Sequence, residues 1–249
     1  MADFPLKIKY RTSSLTLFII GLISLICRLV SSTLISGQIF YQGAKIDLNI
    51  LEGNITDYPS NLQDLMIAYR ITDLTGRLAF PILAYLIVRQ VLISSDVNRF
   101  ISILAFTAAA SELIYDYLYF YSLFALLQQN MLLTIMVAVV AIVAMERYYD
   151  NKWIRILLSI TAIVLAHFAN LEEGGFGVSL MMLFYLFHEQ KMIMLGFGVL
   201  ISMPTITGPL AFIPIGLHDS DTNIECTPFI FIIYPVLLAI LVLIRIFIF

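Results

Sequence analysis

Apolar and polar positions alternate in blocks along this chain, long apolar runs of helical length being separated by short turns that hold most of the charges. A helix needs roughly 20 mostly apolar residues to cross a hydrocarbon core about 30 Å thick. The candidate runs are 14–35, 66–88, 100–121, 131–146, 153–171, 175–188, 192–216 and 228–248, about eight crossings, or seven to nine where boundaries blur. The short alternating segments of an outer-membrane barrel are missing, so helices are left as the way to satisfy the backbone in lipid. The one substantial hydrophilic stretch, 36–65, sets Asp47, Glu52, Asp57 and Asp64 against Lys45. A connection this long reads as an outer polar loop, within a single transmembrane helical domain over 1–249. The first run is too long for a removable signal peptide and lacks a small-residue cleavage site.

Composition agrees. With 61% hydrophobic and 12% charged residues and a mean hydropathy of +0.95, the chain has too little polar surface for a soluble globule. The expectation is an all-α integral membrane protein. Lys7, Lys9 and Arg11, then Arg89 and Arg99, then Arg147, Lys152 and Arg155, then Lys191 and Arg245 fall on alternate connections. Such a bias orients eight spans with both termini cytoplasmic, in a bacterial cytoplasmic membrane.

Ionisable residues inside spans usually face a bundle interior or a water-filled cavity. Arg70, Asp73 and Arg77 form a stripe at helical spacing, and Glu112 and Asp116, like Asn130 and Thr134, repeat it; Glu172 and Glu173 close a short turn. The topology brings these groups to one outer end, where Arg77 is expected to face Glu112, Asp116, Asn130 and Glu172. Interhelical ion pairs that fix packing are the structural alternative. His188 reads as a solvated turn residue and His218 as an outer-loop residue with at most a weak surface acid–base or ion-binding role. His167 is either a proton carrier near Glu172 or a hydrogen-bonded core residue. Cys27 and Cys226 lie at different depths and are expected to be unpaired. No metal-ligand spacing, phosphate-binding glycine loop, nucleophile elbow or basic aromatic patch for nucleic acid is present.

Several stretches together resemble the TraX membrane acetyltransferases, which modify a pilin N-terminus in conjugation systems and belong to a wider group of multi-span acyltransferases. "GRLAFPILAYLIV", "SELIYD", "QQNMLLTI", "EEGGFGV" and "FIFIIYPVLLAIL" are similar to that family's motifs and occur in its order. The resemblance implies acyl transfer at the outer face to a peptide, pilin or glycan. The donor would be acyl-CoA, acetyl-CoA included, with no resident cofactor. On that reading Arg89, Arg99, Arg147, Lys152 and Arg155 are placed to meet donor phosphates, although membrane orientation also accounts for them. The departures are specific. The family's first-span Asp-His pair is Cys27-Arg28, its last-span His is Leu237, and its basic turn before the last helix reads "HDSDTN". An arginine cannot relay an acyl group, being always protonated and without an acceptor; Cys27 is the substitute nucleophile the sequence offers. Activity is therefore open against a non-catalytic membrane subunit that binds a partner in a peptide-export, pilus-like or bacteriocin-associated system. A transporter would call for inverted repeats, which are not seen.

Overall fold

The computed structural model describes residues 12–41, 59–218 and 227–248, and these form a helical bundle without strands. The helices are α1 (Ser14–Val30), α2 (Ser36–Tyr41), α3 (Ser60–Gly76), α4 (Ala79–Ile93), α5 (Val97–Phe120) and α6 (Met131–Arg147). They continue with α7 (Lys152–Phe168), α8 (Gly174–Leu186), α9 (Lys191–Ser202), α10 (Phe212–Gly216) and α11 (Thr227–Ile248). Starts follow local chemistry. Ser13, Asp96, Asn130 and Asn151 each accept a backbone N–H of the first turn of α1, α5, α6 and α7, satisfying donors that a helix start leaves open. A π-helical turn over Ser31–Ile35 joins α1 to α2. Helix therefore extends into both edges of the expected polar loop, whose middle, 42–58, lies outside the described residues.

Four stretches are long and apolar enough to cross a membrane: Ser14–Phe40, Leu62–Ile93, Val97–Phe120 and Phe229–Phe247. Helix α4 is the centre, buried on every side from Ala79 to Val91 except at Arg89. A helix that is apolar all round belongs inside. The outer helices expose apolar stripes instead: Leu15, Ile19, Ile23 and Ile26 on α1, Ile156, Ile160 and Val164 on α7, and Ile232, Val236, Ile240 and Leu243 on α11. Apolar bands of this extent face lipid and not water.

The four long stretches belong to α1–α2, α3–α4, α5 and α11, and the shorter α6, α7 and α8 pack against α4 and α5 and against one another. The expected crossing at 192–216 is not a single span. Lys191 Nζ donates to the His218 carbonyl at 2.8 Å, so this segment returns to the end where it began. It is a hairpin, with α9 rising and α10 falling. At its tip Arg77 Nη1 donates to the Thr205 carbonyl at 3.2 Å, and Thr207 Oγ1 to the Leu74 carbonyl at 2.6 Å. Twelve residues of α9 span about 18 Å, short of a hydrocarbon core about 30 Å thick. The turn comes from Pro204, Gly208 and Pro209, which cannot continue a helix. The arms close at Gly198, where any Cβ would stand 2.0 Å from the Phe212 ring.

Because the hairpin does not cross, α11 runs parallel to α5. Phe231 meets Phe100 at a centroid distance of 5.1 Å near the start of both, and Arg245 donates to the Leu118 carbonyl near their ends. Ser14 contacts His218, so the start of α1 and the end of α11 lie at opposite ends of the bundle. The expectation of eight crossings with both termini cytoplasmic had counted 192–216 as one span; among the described residues four stretches are long and apolar enough to cross.

Candidate functional site

Polar side chains collect at both ends. At the end holding Lys191, α4 contributes Tyr85 and Arg89, one helical turn apart, and α1 contributes Ser14. All three converge on His218, whose ring is buried at 3% exposure. Arg89 Nη1 lies 2.9 Å from Nδ1 and 3.1 Å from Nε2 of the imidazole. The Tyr85 hydroxyl is 3.2 Å from Nδ1, and Ser14 Oγ is 3.0 Å from Nε2. A guanidinium has only donors, so a ring nitrogen that takes a hydrogen bond from Arg89 does so through its lone pair. Backbone pairing of Thr12 N–H with the Leu217 carbonyl, 2.9 Å, pins the residue before His218 to the start of α1. Tyr85, Arg89, His188, Lys191, Met194 and His218 line a cavity of about 350 Å³. Its wall combines N–H donors, which suit an anion, with an imidazole, a side chain able to exchange protons near neutral pH.

The sequence reading missed this centre. It assigned His218 to the outer surface and Lys191 to the opposite side, because the apolar run between them was counted as a crossing. Of the five cations expected to meet a donor, Arg89 lines the cavity, while Arg99, Arg147 and Lys152 are exposed at the same end. Lys152 lies over the Trp153 ring at 5.5 Å, and Arg155 over Tyr149 at 5.0 Å and Tyr185 at 5.9 Å.

The opposite end is organised around Arg28, which sequence comparison had marked only as a lost histidine. Its guanidinium lies 2.7 Å from Glu173 Oε1 and 3.5 Å from Glu172 Oε1, and each acid side chain is 9% exposed. Burial pushes the Glu172 carboxyl, in the turn between α7 and α8, up to about 7 against the pull of Arg28. Gly76 holds α3 against α1 at this point: a Cβ there would come within 2.6 Å of the Arg28 Cα. The Ser32 hydroxyl, in the π turn, meets the Tyr119 hydroxyl at 2.6 Å.

The expected meeting of Arg77 with Glu112, Asp116 and Glu172 does not occur. Arg77 pairs with Asp73 of its own stripe, Nη2 to Oδ2 at 2.8 Å, and with the hairpin tip. Glu112 Oε2 accepts the Asn130 N–H at 2.9 Å, and Asp116 Oδ2 the Ala125 N–H at 2.7 Å, so both acids anchor the α5–α6 connection. Asn130 caps α6 and donates from Nδ2 to the Ala108 carbonyl at 3.0 Å. Thr134 is buried beside it. His167 is exposed and packs edge-on against Phe168, with no contact to Glu172 among the described residues. Cys27 is a free, half-buried thiol, Leu237 packs against the core, and Cys226 lies outside the described residues. No group of His, Cys, Asp and Glu suited to a metal ion occurs among the described residues.

Comparison with known proteins gives one family. A family model described as "TraX protein" matches residues 60–245, from α3 into the last turn of α11. No curated protein and no solved structure matches the chain.

Proposed function

The chain belongs to the TraX family of membrane proteins, and from that premise we propose that it is an acyl-CoA-dependent acyltransferase of the bacterial cytoplasmic membrane, acetyl-CoA being the simplest donor. The observation that carries the reading is His218, a buried imidazole in the wall of a cavity that also presents Arg89, Lys191 and Tyr85. By the positive-inside bias this basic end is cytoplasmic, the side from which a CoA thioester arrives. Arg89 and Lys191 bind donor phosphate oxygens. The acceptor, an amine or hydroxyl of a peptide, pilin-like chain or glycan, attacks the thioester carbonyl; its proton passes to His218 and the CoA thiolate leaves. On this reading His218 takes the place of the intramembrane histidines that Arg28 and Leu237 replace, beside the basic residues expected to meet the donor.

Membranes carrying the protein should transfer label from acetyl-CoA to a co-expressed peptide or glycan, and His218→Ala should abolish the transfer while the protein still inserts. Label that appears equally with His218→Ala would overturn the assignment. A second reading rests on Arg28, which stands where the resemblance leads one to expect a histidine and is held by Glu172 and Glu173. A non-catalytic subunit that uses this end to hold a partner fits that observation, and co-purification of a stable partner with an inactive chain would favour it.

A further inference from the structure

Arg245 is a cation that neither the fold nor the proposed chemistry uses. It lies in the last turn of α11, at the end opposite the basic cavity and against the charge bias of the chain. The other arginines placed above at this end are paired, Arg28 with Glu172 and Glu173, Arg77 with Asp73. Arg245 has no carboxylate within ion-pair distance among the described residues. Its guanidinium lies 4.5 Å from the centroid of the Tyr121 ring, Nη1 donates to the Leu118 carbonyl, and Nε is buried with no hydrogen-bond partner. Tyr121 is aimed there by a left-handed backbone, φ 54°, which ends α5. Tyr117, Leu118, Tyr121, Val242, Arg245 and Ile246 together enclose a cavity of about 190 Å³.

A charge at the edge of the hydrocarbon is costly without a counter-charge. The α11 dipole and the Tyr121 face offset part of that cost, yet neither uses the Nε edge of the planar fork, which matches phosphate geometry. At this depth the fixed anion at hand is the phosphodiester of a lipid. The wall divides accordingly: Leu118, Val242 and Ile246 offer apolar surface below, Tyr117 and Tyr121 amphipathic rings at headgroup level.

We propose that Arg245, with Tyr117 and Tyr121, binds the headgroup of one anionic phospholipid in the leaflet at this end, its upper acyl carbons resting on Leu118, Val242 and Ile246. The lipid is anionic because a zwitterionic headgroup would return a positive charge to a site already holding one. The inference does not depend on acyl transfer.

Native mass spectrometry of the protein in an uncharged detergent, titrated with phosphatidylglycerol or with phosphatidylcholine of the same chains, tests it. Wild type should hold one phosphatidylglycerol at least about tenfold more tightly than phosphatidylcholine, as loss of charged hydrogen bonds usually costs that much. Arg245→Gln should bring the two to parity, and Arg245→Lys should fall between. Lys152→Gln, at the other end, should match wild type, and circular dichroism should show each variant folded. Should Arg245→Gln not fold, the Arg245→Lys and Tyr121→Ala titrations decide, each expected to weaken phosphatidylglycerol several-fold. Unchanged selectivity in the folded variants would overturn the proposal. So would glycerophosphate binding as tightly as the whole lipid, which would make this a site for a free anion.

Discussion

Replacing Arg28 with Ala removes a guanidinium that lies within 4 Å of two carboxylates whose side chains are 9% exposed. Breaking a buried ion pair from one side costs about 3–5 kcal/mol, because the partner charges stay buried without compensation. The loss should depend on pH in a defined direction. The Glu172 carboxyl already sits near 7, above the usual value near 4.5. A carboxyl raised in the folded state binds a proton more readily there than in the unfolded chain. Its contribution to stability is therefore greatest at low pH and falls as pH rises through about 4.5 to 7. Without Arg28 the carboxyl rises further, so Arg28→Ala should be strongly destabilised at pH 8 and closer to wild type at pH 5. Thermal unfolding in detergent, followed by size-exclusion recovery, reads this out as a shift on the order of 10 °C at pH 8. Adding Glu172→Gln and Glu173→Gln to Arg28→Met should restore most of the loss, since a neutral trio leaves no charge stranded. A melting temperature within 1 °C or so of wild type for Arg28→Ala at pH 8 would refute the reasoning.

Gly76→Ala places a methyl 2.6 Å from the Arg28 Cα, so α3 must back away from α1; about 1–3 kcal/mol should be lost in unfolding measurements, and the double variant with Arg28→Ala should cost less than the two losses summed, because the sites touch. Reporters fused to the two termini should lie on opposite sides of the membrane: with the N-terminus inside, alkaline phosphatase after residue 249 should be active, and inactivity there would contradict parallel α5 and α11. Asn130→Ala should cost about 1–2 kcal/mol of thermal stability through the lost α6 cap and the lost bond to the Ala108 carbonyl.

The helices were legible because burial in lipid demands long apolar runs, and their starts because Ser13, Asp96, Asn130 and Asn151 announce them. What misled was the run at 192–216. Its length argued for a span, but Pro204, Gly208 and Pro209 within six residues already argued for a turn. Once that segment is folded back, His218 moves from the far surface to the basic end. The stripe of Arg70, Asp73 and Arg77 was readable as one helix face, yet its partner was not, because the choice between Asp73 and an acid on another helix depends on how the helices are rotated. The same holds for Arg28: sequence shows which histidine is missing, but only packing shows that Glu172 and Glu173 claim the residue that replaced it.

The central claim is that the basic-end cavity takes a CoA thioester. Equilibrium binding of acetyl-CoA to the purified protein in detergent tests it most directly, with wild type compared to Lys191→Ala and Arg89→Ala. A charged hydrogen bond is worth about 1.5–3 kcal/mol, so each variant should bind at least tenfold more weakly than a saturable wild type, with folding checked by circular dichroism. Saturable binding that both variants retain unchanged, or no binding to the wild type at all, would contradict the account.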